Sequence, residues 1–136
     1  MPLSVYPELS SGVVLCIDND QDVLECEKAF LELFGYTVLT APSSGKGLEL
    51  ASIHSIDVVV LDYFMPAIDG RAVAMEMRRL RPQAPIILLT EGVSVPKQTM
   101  NLVDALVVKD RMASQLLPAI AHLHGRRRIP LPPYDA

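Results

Sequence analysis

Carboxylates, a hydroxyl and a lysine follow four short apolar runs of this 136-residue sequence. "VVLCI" precedes "DND" at positions 18 to 20, "IDVVVL" precedes Asp62, "PIILL" precedes Thr90 and "ALVV" precedes Lys109. Carboxylates that converge repel each other unless they are protonated or neutralised, and a ligand set made of oxygens favours a divalent ion such as Mg2+. With a lysine and a hydroxyl nearby, such a site is suited to phosphoryl transfer to an aspartate.

The elements that must position these residues alternate along the chain. Five short runs have the length and β-branched content of strands, and four are nearly continuous in apolar residues, as in strands covered on both faces. We predict strands at 13–17, 36–40, 56–61, 85–89 and 105–108. Amphipathic segments lie between them, so the sequence predicts an α/β fold with a doubly wound parallel sheet and helices on both of its faces.

The helices are predicted from apolar residues at helical spacing. The first has Asp20 as its N-cap, Gly35 just past its end, and an apolar face made of Val23, Cys26, Phe30, Leu33 and Phe34. The second contains two glycines, each of which should cost about 1 kcal/mol relative to alanine. The third is led by Asp69, with Val73, Met77 and Leu80 on its apolar face.

Two further helices complete the pattern. Between the fourth and fifth strands, residues 91–104 leave room for at most two helical turns, which Pro96 would start. The last helix begins near Ser114 and carries Leu116, Leu117, Ile120 and Leu123, with Pro118 near the end of its first turn, where a missing N–H is least harmful.

Composition excludes several classes of protein. No apolar run approaches the eighteen or so residues of a membrane span. The net charge of −4 and the pI near 5.3 argue against direct nucleic-acid binding by the domain, which needs clustered cations. The beginning of the sequence lacks the features of a signal peptide and the two cysteines fit no disulfide framework, so we expect a cytoplasmic protein with Cys16 and Cys26 as buried free thiols.

Four segments resemble a known family. "LCIDND", "VVVLDYFMPAIDG", "ILLT" and "VVKD", in this order, are similar to the landmarks of the receiver domains of two-component response regulators. The resemblance covers residues 12–124 and implies a flavodoxin-like strand order of 2-1-3-4-5, in which strands one and three are neighbours. Residues 1–11 are then expected to form an N-terminal tail, and 125–136 a flexible tail rich in proline and arginine.

The resemblance also implies roles for the residues at the strand ends. Asp62 would accept a phosphoryl group from a phosphohistidine on a sensor histidine kinase or a histidine phosphotransfer protein. Lys109 would contact the phosphoryl oxygens, and Thr90 would move toward them. The Mg2+ ligands would be Asp18, the following Asn19, Asp62 and the backbone carbonyl of Phe64.

The sequence departs from the family pattern near this site. Asn19 stands where a second acid is usual, which should weaken Mg2+ binding. Glu91 follows Thr90 where a small residue is usual, and Leu106 replaces an aromatic residue that changes position on signalling. We expect Leu106 to be a permanent core residue with no second position to occupy.

Three functions are compatible with these residues. The favoured one is a phosphoacceptor switch, which is not an enzyme beyond taking part in its own phosphorylation and dephosphorylation. The second is a degenerate receiver that docks to other proteins without being phosphorylated. The third, a phosphohydrolase of the haloacid dehalogenase class, is suggested by the D-x-D spacing of Asp18 and Asp20. The sequence does not specify the downstream protein target, and it is compatible with a homodimer.

Overall fold

A five-stranded parallel sheet forms the centre of the protein. A computed structural model describes residues 12–64, 70–92 and 94–128, with side chains described up to His124. The strand order is β2-β1-β3-β4-β5, as the resemblance implied. The strands are β1 Val13–Ile17, β2 Thr37–Ala41, β3 Val58–Asp62, β4 Ile86–Thr90 and β5 Ala105–Val108. Every residue of β3 and β4 is buried, which explains their continuous apolar sequence.

Helices cover both faces of the sheet, and the predicted doubly wound fold class is confirmed. One apolar cluster packs the first and last helices against the sheet, and a second cluster packs the second and third helices against the other face. The helices are α1 Gln21–Leu33, α2 Ser44–Ile53, α3 Gly70–Leu80, α4 Lys97–Met100 and α5 Met112–Arg128. The fourth helix is one turn long and follows Pro96, so its predicted shortening is confirmed.

The predicted apolar face of α1 is wrong. The helix buries Leu24, Glu27 and Leu31, whereas Leu33 is 80% exposed. The buried stripe is therefore rotated by about one residue from the predicted one. The error arose because a glutamate lies in the middle of the true stripe, so that the neighbouring stripe looked more apolar. Both ends of α1 are as predicted: the Asp20 side chain accepts hydrogen bonds from two backbone N–H groups, and Gly35 has a φ of 91°.

The two glycines of α2 are in different surroundings. A Cβ atom added at Gly45 would meet nothing within 4 Å. At Gly47 it would lie 2.4 Å from Cδ1 of Ile17, which is a buried residue of β1. Gly47 therefore permits the close approach of α2 to the sheet, and the predicted cost of a glycine in a helix applies cleanly only to Gly45.

The last helix starts earlier and ends later than expected. A 3-10 turn at Lys109–Arg111 leads directly into α5, which begins at Met112, so Pro118 is in its second turn and not its first. The helix continues to Arg128, four residues beyond 124, where we had expected the tail to begin. The predicted cap Asp69, the N-terminal tail and residues 129–136 lie outside the described residues.

Two further predictions about burial are wrong. Cys16 is buried as expected, but Cys26 is exposed because it lies outside the buried stripe of α1. Leu106 is 39% exposed, since β5 is an edge strand and Leu106 faces the side of the sheet opposite to Ala105 and Val107, which pack against the core. Among the described residues, no helix is long and apolar enough to cross a bilayer.

Candidate functional site

The sheet register brings the four predicted strand-end residues to one edge. Ile17 pairs with Leu61, so the next residues, Asp18 and Asp62, emerge side by side from β1 and β3. On the other side of β3, Thr90 ends β4 and pairs with Val108, the residue before Lys109. The carboxyl ends of parallel strands meet at the same edge, where ligands bind in open α/β sheets.

Lys109 joins the two aspartates. Its Nζ lies 3.2 Å from Oδ2 of Asp62 and 3.3 Å from Oδ2 of Asp18. Both carboxylates are almost completely buried, so the ammonium group offsets part of a repulsion between them that water cannot screen effectively. A third carboxylate, that of the exposed Glu91, has Oε2 4.0 Å from the same Nζ. The sequence indicated Glu91 only as an unusual residue and did not predict this contact.

Backbone N–H groups orient both aspartates. Oδ1 of Asp18 accepts a hydrogen bond from the N–H of Asp20 at 2.9 Å, and Oδ1 of Asp62 accepts one from the N–H of Phe64 at 3.1 Å. Each carboxylate therefore turns its Oδ2 toward Lys109. The side chain of Asp20 caps α1, accepting from two backbone N–H groups at 3.0 and 3.3 Å, which gives it the structural role expected of it.

The charges at the site shift the proton affinities in opposing ways. Burial raises the pKa of Asp62, and the neighbouring charge of Asp18 raises it further; the Phe64 N–H and Lys109 act against this rise without cancelling it. Partial burial lowers the pKa of Lys109, but the charges of Asp62 and Asp18 outweigh burial, so its pKa is above the ordinary value. The site thus holds more negative charge than a single ammonium group neutralises.

The donor set fits a divalent cation. Oδ2 of Asp18 and Oδ2 of Asp62 are buried and, apart from their ion pairs with Lys109, accept no hydrogen bond from the described residues, and paired carboxylate oxygens are ligands that Mg2+ prefers. Within the described ranges, no group of three or more His, Cys, Asp or Glu side chains is arranged to hold a metal. A third acidic side chain is missing beside Asp18 because the next residue is the exposed Asn19, whose amide oxygen could serve only as a neutral ligand.

Thr90 completes the edge. Its side chain is buried, and its Oγ1 has no hydrogen-bond partner among the described residues. A buried hydroxyl without a partner costs free energy that a ligand oxygen would recover. Thr90, Asp62 and Lys109 therefore surround a place suited to an anionic group with several oxygens.

Glu27 was missed by sequence analysis. This residue of α1 is only 3% exposed, and burial is the largest cause of the rise of its pKa from 4.5 to about 7. The sequence contained a signal for it, because Glu27 lies three residues after Leu24 and four before Leu31, which puts all three on one side of a helix.

Comparison with known proteins identifies the family. The family model described as the response regulator receiver domain matches residues 14–120. The transcriptional regulatory protein PrrA of Mycobacterium tuberculosis is 31% identical over 122 residues, which are 88% of this chain and 52% of PrrA. The chain spans about half the length of the curated relatives that it matches.

Solved structures agree with this match. A CheY-like receiver domain protein from Methanospirillum hungatei superposes with a TM-score of 0.81 at 25% identity, covering 85% of this chain and 95% of that one. Response regulator TrrA of Thermotoga maritima, solved in complex with Mg(2+)-BeF, has a TM-score of 0.76 at 30% identity, with coverage of 82% and 98%.

Proposed function

The chain belongs to the response regulator receiver domain family, and we propose from this premise that Asp62 is its phosphoacceptor. The donor would be a phosphohistidine on a sensor histidine kinase or a histidine phosphotransfer protein. Receiver domains are the regulatory switches of two-component signal transduction and interact with histidine kinases.

One observation carries the assignment of Asp62. Its carboxylate ends the central strand β3, is 1% exposed and lies 3.2 Å from the ammonium group of Lys109. In the proposed reaction, a bond forms between an Asp62 oxygen and phosphorus while the bond from phosphorus to the donor's histidine nitrogen breaks. Lys109 and the hydroxyl of Thr90 would then contact the phosphoryl oxygens and stabilise their charge.

The proposed cofactor is Mg2+, held by Asp18, Asn19, Asp62 and the backbone carbonyl of Phe64. When bound, the ion would neutralise the charge that develops on the phosphoryl oxygens. The buried Oδ2 atoms of the two aspartates, which accept no hydrogen bond from the described residues beyond their ion pairs with Lys109, support this ligand set. Because Asn19 is neutral, Mg2+ should bind more weakly than it would with an acidic residue at this position.

The proposed role as a switch also concerns catalysis, cellular location and nucleic-acid binding. We infer a switch that takes part only in its own phosphorylation and dephosphorylation, acts in the cytoplasm and does not bind nucleic acid directly. The net charge of −4 supports the last point, because phosphate backbones are bound by clustered cations. The curated relatives are named transcriptional regulators, but the chain matches only about half of their length.

A second candidate is a receiver that docks without being phosphorylated. The contact of Glu91 with Lys109 favours it, because a third carboxylate competes for the ammonium group that a phosphoryl group would need. The family match over residues 14–120 argues against the third candidate, a phosphohydrolase of the haloacid dehalogenase class.

Intact mass after incubation with acetyl phosphate and Mg2+ tests the proposal. We expect one added phosphoryl group, lost in Asp62→Asn and retained in Asp22→Asn, a matched control at an exposed position of α1. A wild-type protein that stays unmodified in these conditions and with phosphohistidine donors would favour the docking module. Modification that persists in Asp62→Asn would assign the phosphoryl group to another residue.

A further inference from the structure

A carboxylic acid is buried in the core beside the proposed phosphorylation site. Glu27 projects from α1 between Leu24 and Leu31, which are fully buried, and is itself 3% exposed. Within the described ranges, neither of its carboxyl oxygens has a conventional hydrogen-bond donor. An ionised carboxylate in such surroundings is unfavourable, so Glu27 has a physical reason to hold a proton.

The groups around Glu27 differ between the elements that pack against it. From β1 it faces the thiol of Cys16, a weak hydrogen-bond donor, and the carboxylate of Asp18 acts on it. Asp62 and Lys109 also act on it electrostatically from the ends of β3 and β5. On its own helix, Lys28 pairs with Glu32.

The α5 residues that line the space beside Glu27 carry no charge. Met112, Ala113 and Leu116 of α5 line, with Glu27, Cys26 and Phe30 of α1, a cavity of about 240 Å³ between the two helices. The charges that act on the buried carboxyl are therefore those of the proposed phosphorylation site and not those of its helical neighbours.

Burial and the neighbouring groups together place the pKa of Glu27 in the physiological range. Burial raises its pKa most, the thiol of Cys16 lowers it, Asp18 and Asp62 raise it, and Lys109 lowers it, giving a pKa of about 7. Near neutral pH the carboxyl is thus divided between its two forms. Any change in the net charge of the site then changes how much of each form is present.

We propose that Glu27 exchanges a proton with solvent when the charge held by Asp18, Asp62 and Lys109 changes, so that loading of the site is proton-linked. This inference rests on the proposed function of that site. A divalent cation there adds positive charge and releases the proton of Glu27 to solvent. A phosphoryl group on Asp62 replaces a carboxylate by a dianionic acyl phosphate, adds about one negative charge and draws a proton back onto Glu27.

The linkage has a defined direction for signalling. At constant Mg2+, phosphorylation takes up a proton, so acidification through pH 7 stabilises the phosphorylated form relative to the unphosphorylated one. Conversely, the apparent affinity for Mg2+ rises with pH over the same range. Both effects should be lost when Glu27 is replaced by glutamine, which has nearly the same shape and cannot ionise.

Carbon-13 NMR of the Glu27 carboxyl can test this with three titrations. The protein is titrated alone, with saturating Mg2+, and with Mg2+ and beryllofluoride, a mimic of the phosphoryl group; Glu27→Gln identifies the resonance. We expect the midpoint to fall when Mg2+ is added and to rise again with beryllofluoride. The shift should be on the order of half a pH unit per unit charge. Glu25, exposed on the same helix, serves as the internal control.

The outcomes separate the two proposals. Mg2+ binding with an unchanged Glu27 midpoint, or a shift of equal size at Glu25, would overturn the linkage and leave the metal site standing. A protein that binds neither Mg2+ nor beryllofluoride at any pH would overturn both. As a second readout, calorimetry in buffers of different ionisation enthalpy should detect proton release on Mg2+ binding by the wild type and not by Glu27→Gln.

Discussion

Nζ of Lys109 lies 3.2 Å from Oδ2 of Asp62, a carboxylate that is 1% exposed. The same ammonium group is 3.3 Å from Oδ2 of Asp18, so two buried anions share one cation. Removing one member of a buried pair leaves an uncompensated charge, which is more costly than the pair is stabilising. Lys109 therefore contributes to stability in the absence of metal as well as to the proposed chemistry.

We predict that Lys109→Gln is destabilised because the two aspartates lose their cation. Breaking a fully buried pair costs about 3 to 5 kcal/mol, and since the Lys109 side chain is 20% exposed we expect about 2 kcal/mol at pH 7. Urea unfolding without divalent ions measures it, with Lys97→Gln at an exposed position of α4 as the control. Added Mg2+ should recover more stability in Lys109→Gln than in the wild type. Equal stability of the two variants would show that the aspartates are neutralised in another way.

A second prediction concerns Asn19. Asn19→Asp should bind Mg2+ about tenfold more tightly, which corresponds to about 1.4 kcal/mol. This is only part of the Coulomb attraction between the new carboxylate and the ion, because desolvation of the carboxylate and loss of the native amide oxygen offset the rest. Without metal, the added carboxylate should destabilise the protein by repulsion. Calorimetric Mg2+ titration compares the variant with wild type and with Asn101→Asp, an exposed control on another turn. The same affinity in all three proteins would mean that residue 19 does not face the ion.

The two glycines of α2 give a matched pair of substitutions. Gly45→Ala adds a methyl group into open space and should stabilise the protein by about 0.5 to 1 kcal/mol, the usual helix preference for alanine. Gly47→Ala should instead destabilise it by about 1 to 2 kcal/mol, since its Cβ would lie 2.4 Å from Cδ1 of Ile17 and overpack the core. Thermal or urea unfolding measures both. Stabilisation by both alanines would show that α2 moves away from the sheet at little cost.

The buried Glu27 makes stability depend on pH. Because its pKa rises from 4.5 to about 7 on folding, the native state keeps a proton that the unfolded chain loses, and stability falls as pH rises through this range. The full rise corresponds to about 3 kcal/mol. We therefore expect Glu27→Gln to stabilise the protein by about 2 kcal/mol more at pH 8 than at pH 5. Unfolding of Glu25→Gln at both pH values is the control; a gain from Glu27→Gln that is the same at both would refute the buried ionisation.

The fold and the strand-end residues could be predicted because each depends on local pattern. Continuous apolar runs identify strands that are covered on both faces, and a polar residue at the end of such a run must emerge at the edge of the sheet. That reasoning found Asp18, Asp62, Thr90 and Lys109, which the structure brings to one edge. The strand order came from family resemblance, since periodicity alone does not order parallel strands.

The features that could not be predicted from the sequence depend on contacts between residues that are distant along the chain. The face of α1 was misassigned because a buried glutamate interrupts the apolar stripe, and the helical spacing of Glu27 from Leu24 and Leu31 is a weak signal until packing against β1 and α5 is seen. Leu106 was expected in the core, but it belongs to an edge strand and is 39% exposed. Glu91 reaches Lys109 through the turn after β4, a contact between residues eighteen apart that has no periodic pattern.

Chemical trapping of the phosphorylated residue tests the central claim most directly. An acyl phosphate is reduced by borohydride to the alcohol, so a phosphorylated aspartate becomes homoserine at its own position in the wild-type chain. After incubation with acetyl phosphate and Mg2+, peptide mapping should place homoserine at position 62, and omission of the phosphodonor should abolish it. Homoserine at another aspartate, or phosphorylated protein that yields none, would contradict the assignment of Asp62 as the phosphoacceptor.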